Sequence, residues 1–316
     1  MSDRSTLVIG TRGSELAQWQ THWVQNELQR LHPSLKIEIQ IIKTQGDKVL
    51  DSPLSKIGDK GLFTKELERA LLDKRIDVAV HSLKDIPTHI EEGLTLGAIC
   101  EREDVRDVFI SHPGKLYSTL AGVPVHGTIA TGSLRRRCQL LRIRPDLTIA
   151  EIRGNVGTRF DKLRASIWDG MLLAKAGVTR LGRSEFIAEV LSPTTLLPAV
   201  GQGALAVQTR DNDFRILEFV RPLDHLPTRQ ATFGERALLR RLEGGCQIPI
   251  GTYGRIEDGT FRLDAIIGSL DGRKSVRSTI EGGPEDSERL GIALAEQLLS
   301  QGGEAILDEI RQVDAK

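Results

Sequence analysis

The stretch from Thr6 to Ile41 reads TLVIGTRGS, then ELAQWQTHWVQNELQRLHP, then SLKIEIQI. Its first part is a short apolar run, residues 6–10, that breaks into the turn Thr11-Arg12-Gly13-Ser14. Beyond it Leu16, Trp19, Trp23, Val24, Leu28 and Leu31 recur at helical spacing. Ser14 has the side chain to cap that helix, and Pro33 stops it. Leu35, Ile37, Ile39 and Ile41 then alternate with polar residues, the period of a strand. Strand, helix and strand in succession make a βαβ unit, so the chain opens as an α/β domain.

The same alternation runs outward from this stretch. The pattern predicts a helix over 60–74, then a strand through Ile76, Val78 and Val80 that runs into His81-Ser82-Leu83-Lys84-Asp85-Ile86-Pro87. A strand at 128–130 leads through Thr131-Gly132-Ser133 into a helix, residues 160–170 are helical, and 171–174 and 204–207 read as short buried strands. The turns Thr11-Arg12-Gly13-Ser14 and Thr131-Gly132-Ser133 rhyme, each between a strand and a helix, which predicts two similar α/β lobes. After Arg221-Pro222 the alternation ceases. Helices at 228–242 and 285–299 and strands at 252–256, 261–267 and 275–280 predict a C-terminal α+β domain.

With 316 residues the chain is long enough to bury a core without disulfides. Lys plus Arg and Asp plus Glu each total 43, which argues against a globally basic nucleic-acid binder. The cations are nevertheless uneven: ten Arg and two Lys between Arg135 and Arg183 face only four acids. Such a block is either a solvated basic face or a site for an anion. Three cysteines form no disulfide framework, so a reducing compartment is expected. The first apolar run is too short for a signal peptide, and no stretch is long enough to span a membrane, so cytoplasm is the expectation. His81 has no second histidine at ligand spacing, so no metal is expected.

Four places have the makings of chemistry. Ser133 opens a helix whose first turn holds Arg135 and Arg136, where cations oppose the helix dipole unless an anion binds. Arg153-Gly154-Asn155-Val156-Gly157-Thr158-Arg159 is a Gly-rich turn flanked by two guanidiniums, though it is not a Walker loop. Asp85 follows the end of a buried parallel strand, where open α/β sheets place ligands; the alternative is a turn or capping Asp. Cys246, between Gly244-Gly245 and Pro249, is the best placed of the three thiols for reaction or attachment, with an inert loop thiol as the alternative.

Taken in order, Thr11-Arg12-Gly13-Ser14, Lys60-Gly61-Leu62-Phe63, His81–Pro87, Ser133-Leu134-Arg135-Arg136, Arg153–Arg159, Pro198–Ala204 and Glu243–Gly251 resemble the porphobilinogen deaminase family over residues 6–254. The resemblance implies two periplasmic-binding-protein-like α/β lobes with a central cleft and a small α+β C-terminal domain. The expected boundaries are 1–102 with 198–220, then 103–197, then 221–316. It implies a transferase that condenses four porphobilinogen molecules on a dipyrromethane cofactor joined by a thioether to Cys246, and then hydrolyses off hydroxymethylbilane.

Asp85 matches the catalytic carboxylate, expected to steady the cation left when ammonia departs. Arg12, Ser14, Gln20, Lys84, Thr131, Ser133, Arg135, Arg136, Arg153, Arg159 and Arg180 match residues lining the cleft, and Lys56, Lys60 and Phe63 a loop over it. Each porphobilinogen carries an acetate and a propionate, so Arg-rich turns suit the growing polyanion. The sequence departs from the family pattern at Gln45, where Arg is common, and at Gly13 and Gly132; Gly132 offers a substrate carboxylate one hydroxyl fewer. No interface stripe stands out, so a monomer is expected, with no nucleic-acid or membrane partner. The rival reading is a two-lobed binder of an organic anion, which leaves Cys246 and the third domain unexplained.

Overall fold

The computed structural model describes residues 6–44, 61, 63–242 and 248–314. They gather into two compact units, the first formed by 6–44, 63–103 and 203–229, the second by 104–202, 230–242 and 248–314.

In the first unit, β1 (Thr6–Thr11) pairs in parallel with β2 (Lys36–Ile41) and with β3 (Val78–Ser82). β10 (Leu205–Arg210) lies antiparallel between β3 and β4 (Leu94–Ile99), giving the order β2-β1-β3-β10-β4. Helix α1 (Glu15–Leu31) buries Val24 and Leu28 of the predicted stripe together with Ala17, while Leu16, Trp23 and Leu31 are half-buried and Trp19 is exposed. Val24 and Leu28 pack on Leu7, Ile9, Val80 and Val207. Helix α2 (Lys65–Leu72) covers the other face with Leu67 and Leu71 against Ala79 and Ile76. Each such fully buried aliphatic side chain stabilises by about 1.5–3 kcal/mol relative to exposure. A sheet covered on both faces explains why β3 and β10 read as unbroken buried runs.

The second unit repeats the arrangement. β6 (Thr128–Ala130) is parallel to β7 (Thr148–Ala150) and to β8 (Gly170–Ala174). β5 (Asp107–Ser111) runs antiparallel between β8 and β9 (Glu189–Val190), giving β7-β6-β8-β5-β9. α3 (Leu134–Ile143) seats Leu140 against Ile129 and Leu172 on one face. α4 (Val156–Arg164) seats Phe160 and Leu163 against Met171 and Val108 on the other. The two sheets therefore share strand order and direction, with β10 standing in the first where β5 stands in the second. That is the duplication the rhyming turns predict.

Within the second unit, β11 (Ile250–Glu257), β12 (Thr260–Gly268) and β13 (Ser275–Gly282) form an antiparallel sheet. Phe261, Leu263, Ala265 and Ile267 alternate inward from β12 against Leu238 of α7 (Leu226–Arg241), Leu294 of α8 (Ser287–Leu298) and Ile306 of α9 (Glu304–Asp314). This is the α+β domain expected from the loss of alternation.

Some elements differ from the sequence reading. The helix expected over 160–170 occupies Val156–Arg164 instead. Asn155 caps its start, and past its end the Ser166 hydroxyl bonds Leu163 O and accepts from Trp168 N, which turns the chain. β4 and β5 were not expected, and α9 extends the C-terminal domain beyond the helix foreseen there.

Candidate active site

At the C-terminal end of the parallel strands of the first unit, the chain leaves β3 into a single 3₁₀ turn, Leu83–Asp85. Leu83 is buried and its N–H donates to Ala204 O at 3.0 Å, and Ile86 is buried on the other side of the turn. These two anchors hold the half-buried Lys84 and Asp85 between them. Asp85 makes no hydrogen bond or ion pair with any described residue, so none of these competes for its carboxylate.

Around it, Ser14 caps α1 by accepting from Ala17 N, as its position predicts. Gln20 is buried and donates Nε2–H to Ser82 Oγ at 2.8 Å, tying α1 to the end of β3. The Arg12 guanidinium stacks over the Phe63 ring at 4.1 Å. His81, near the end of β3, is buried and its Nε2 has no partner among the described residues. Burial, and then the Arg12 charge, lower its pKa to about 4, so it is a neutral core histidine.

The corresponding end of the second unit is built from arginines. Ser133 caps α3 by accepting from Arg136 N, and Thr131 Oγ1 accepts from Ser133 N at 3.2 Å. Gly132 has a steric reason for being glycine: an added Cβ would meet Ile152 O at 2.6 Å. That close approach sets the turn against the Arg153 segment. Gly154 holds φ at +112°, a value L side chains rarely adopt, and Asn155 then caps α4. Arg159 Nε donates to Gly154 O at 2.8 Å, which closes the turn. Arg153 is half-buried and its Nη2 has no partner; burial lowers its pKa, and Glu151 only partly offsets this. Arg180 is half-buried in the last turn of α5 (Lys175–Arg180).

Arg135 and Arg136 were expected to leave the dipole conflict at the helix start to a bound anion. The chain itself supplies a partner that sequence reasoning missed. Both are buried, and Asp107, at the first position of β5, takes Arg135 Nη1 at 2.6 Å and Arg136 Nη2 at 2.8 Å. Burial alone would raise the Asp107 pKa, but the two guanidiniums hold it well below the usual carboxylate range. The Arg106–Asp104–Lys175 ion-pair cluster was also missed. Asp104, Arg106 and Asp107 sit in a segment with no motif around it, so nothing local marks them.

Cys100 and Cys138 are both buried, and burial pushes the Cys138 thiol up to about 12, only partly offset by Arg135. Burial disfavours a reactive thiolate at either position. Cys246, Lys56, Lys60 and Gln45 lie outside the described residues.

Residues 7–218 match the family described as porphobilinogen deaminase, dipyromethane cofactor binding domain. Residues 230–300 match the porphobilinogen deaminase C-terminal domain. The chain belongs to the porphobilinogen deaminase family. It is 50% identical over 309 residues to the porphobilinogen deaminase of Carboxydothermus hydrogenoformans, covering 98% of each chain. It is 51% identical over 313 residues to that of Chlorobium chlorochromatii, covering 98% of this chain and 99% of the relative. Among solved structures, the periplasmic VFT2 domain of Bordetella pertussis BvgS matches with a TM-score of 0.42 and 15% identity, over 70% of this chain and 87% of that one.

For a porphobilinogen deaminase the donor set of the second unit is appropriate. A dipyrromethane made from two porphobilinogens carries acetate and propionate groups. Arg135 Nε and Arg153 Nη2 are buried donors with no partner. Buried polar groups are nearly always hydrogen-bonded, and an anionic ligand would satisfy these.

Proposed function

We propose that this porphobilinogen deaminase works with Asp85 as its catalytic carboxylate, Cys246 as the attachment point of its dipyrromethane cofactor, and the arginines of the second unit as the grip on the growing chain. The reaction is that of a hydroxymethylbilane synthase in tetrapyrrole biosynthesis. Four porphobilinogen molecules are joined head to tail with loss of ammonia, and linear hydroxymethylbilane is then released by hydrolysis. When bound, dipyrromethane supplies the primer onto which the units are added.

The observation that carries this reading is the contrast between the two strand ends. The first holds the Asp85 carboxylate, with no partner among the described residues, and the second holds guanidiniums in excess of their acids. Departure of ammonia leaves positive charge on the substrate pyrrole, and Asp85, fixed between Leu83 and Ile86, stabilises it and takes up or returns the pyrrole proton. Arg153, Arg159, Arg135 and Arg136 bind the acetate and propionate groups, while Ser133 and Thr131 shape the turn that presents them. Arg12 with Phe63, Ser14, Gln20, Lys84 and Arg180 complete the proposed set, together with Lys56 and Lys60.

Three domains, divided at 1–102 with 198–220, 103–197 and 221–316, are proposed for the cycle. The separate apolar core beneath the three-stranded sheet supports the last of them. A cytoplasmic monomer is proposed as well; among the described residues no helix is long and apolar enough to cross a membrane.

Intact mass of the purified protein tests the attachment. The expected result is an adduct of two pyrrole units in the wild type and none in Cys246→Ser, with porphobilinogen turnover only in the former. An adduct that persists in Cys246→Ser would remove Cys246 from the reading. A wild type with no adduct and no turnover would favour the anion-binder alternative.

A further inference from the structure

The caps of α1 and α3 superpose two sequences with opposite chemistry. Counting from Ser14, the second and third helical residues are Leu16 and Ala17; counting from Ser133 they are Arg135 and Arg136. The antiparallel strand of each sheet shows the same swap. In the first unit Leu205 pairs with Ser82 at the end of β3, and in the second Asp107 pairs with Ala174 at the end of β8. The apolar residues Leu16, Ala17 and Leu205 thus hold the positions in one unit that Arg135, Arg136 and Asp107 hold in the other. Strand order is identical in both, so this topology forms with Leu16, Ala17 and Leu205 in place of the three charges at that end of the sheet. Burying three charges is costly, and a packed apolar trio is often the more stable choice.

We infer that Asp107 is a positioning residue: it locks Arg135 and Arg136 into one shared geometry so that their remaining N–H groups meet the carboxylates of the porphobilinogen-derived chain. The inference rests on the porphobilinogen deaminase reading. Asp107 Oδ2 accepts from Arg135 Nη1 at 2.6 Å. Oδ1 accepts from Arg136 Nε at 3.1 Å and Nη2 at 2.8 Å, and also from Gln202 Nε2 at 3.0 Å. Arg135 Nη1 further donates to Leu197 O at 2.7 Å and Arg136 Nη1 to Leu172 O at 3.0 Å, so each fork is held at two places. Two guanidiniums share one carboxylate, which leaves the buried cluster one positive charge in excess. Arg135 Nε, buried and without a partner, is the donor that the internal network leaves over. A lone structural ion pair would need neither the second arginine nor the leftover donor.

The test is Asp107→Asn, compared with wild type for melting temperature, for the fraction carrying the two-pyrrole adduct by intact mass, and for kcat and KM per loaded molecule. Without the carboxylate the two cations repel and turn apart. The loaded fraction is expected to fall, or KM to rise, by about ten-fold or more, with kcat changing by less than about three-fold. Asp107→Glu keeps the charge but displaces it by a methylene, and is expected to raise KM several-fold; it also serves where Asp107→Asn does not fold. Wild-type loading and KM in the folded variants, with only the melting temperature lowered, would overturn the inference and make Asp107 a structural ion. A wild type that carries no adduct and turns over no porphobilinogen would instead defeat the functional reading itself.

Discussion

The two five-stranded sheets of this protein have one topology and two kinds of edge. In the first unit the turn after β1 leads through Glu15 into Leu16 and Ala17, with no arginine in the first turn of the helix, and Lys84 and Asp85 stand after β3. In the second unit the order is reversed: β8 is apolar to its end, and the charged residues stand at the start of α3 and beside it on β5. Strand pairing and core burial determine the architecture, and both units satisfy them with similar Val, Leu and Ile sets. The strand ends are left over for chemistry. On the proposed reading the first unit supplies the carboxylate, with Lys84 next to it in the chain and Arg12 just past the end of β1, and the second supplies most of the cations, as a reaction needs when it makes a transient cation on a polyanionic substrate.

That contrast can be broken most forcefully at its buried charge. Asp107→Ala leaves two buried guanidiniums without their carboxylate and should cost about 3–5 kcal/mol in urea unfolding. Leu205→Ala, at the matching position of the first unit, should cost about 2–5 kcal/mol by cavity formation alone and leave the affinity for porphobilinogen unchanged. Equal effects of both on KM would abolish the distinction between the two edges.

Acid should unsettle the units in sequence. His81 has a folded pKa of about 4 against 6.5 when unperturbed, so between those values the unfolded chain binds a proton that the folded chain does not. Stability then rises with pH: the His81 contribution, up to about 3 kcal/mol, is fully present above pH 6.5 and lost as pH falls to about 4. Asp107, with its pKa depressed, keeps its contribution until pH falls below the ordinary Asp value of about 3.9. Hydrogen exchange should show β3 losing protection at higher pH than β5, and His81→Leu should remove the early loss.

A third change sharpens the chemical side. Asp85→Asn is expected to lower kcat roughly 100-fold. Melting temperature and adduct mass should stay as in the wild type, because Asp85 bonds no described residue. Turnover close to wild type would remove Asp85 from the mechanism. The smallest effect concerns the caps. Ser14→Ala and Ser133→Ala each lose one long cap bond, 3.3 and 3.4 Å, and should cost about 0.5–1 kcal/mol in thermal unfolding. Both should also raise KM, the second by more, since only α3 carries two arginines in its first turn.

Much of this was legible in residue order. Ser14 and Pro33 delimited α1, the alternation of Ile37, Ile39 and Ile41 marked β2, and the paired turns announced the duplication. Asp85, Ser133, Arg153 and Arg159 could be named because they stand within local motifs. β4 and β5 are not legible in the same way, although Leu94, Leu96 and Ala98 alternate: among the described residues β4 is an edge strand held only by β10, β5 pairs with β8 and β9, and neither leads directly into a helix that would frame it.

Periodicity and capping are properties of neighbouring residues, so the sequence by itself settled the α/β class, the C-terminal change of pattern and the positions of the turns. Charge pairing depends on what arrives from elsewhere in the chain. Only the tertiary structure could show that Asp107, 28 residues before Arg135, closes on both arginines. It alone could show that Gly132 is small because Ile152 O presses against it, or that Gln20 reaches Ser82. Those contacts form when sheet register brings remote segments together, and no local spacing encodes them.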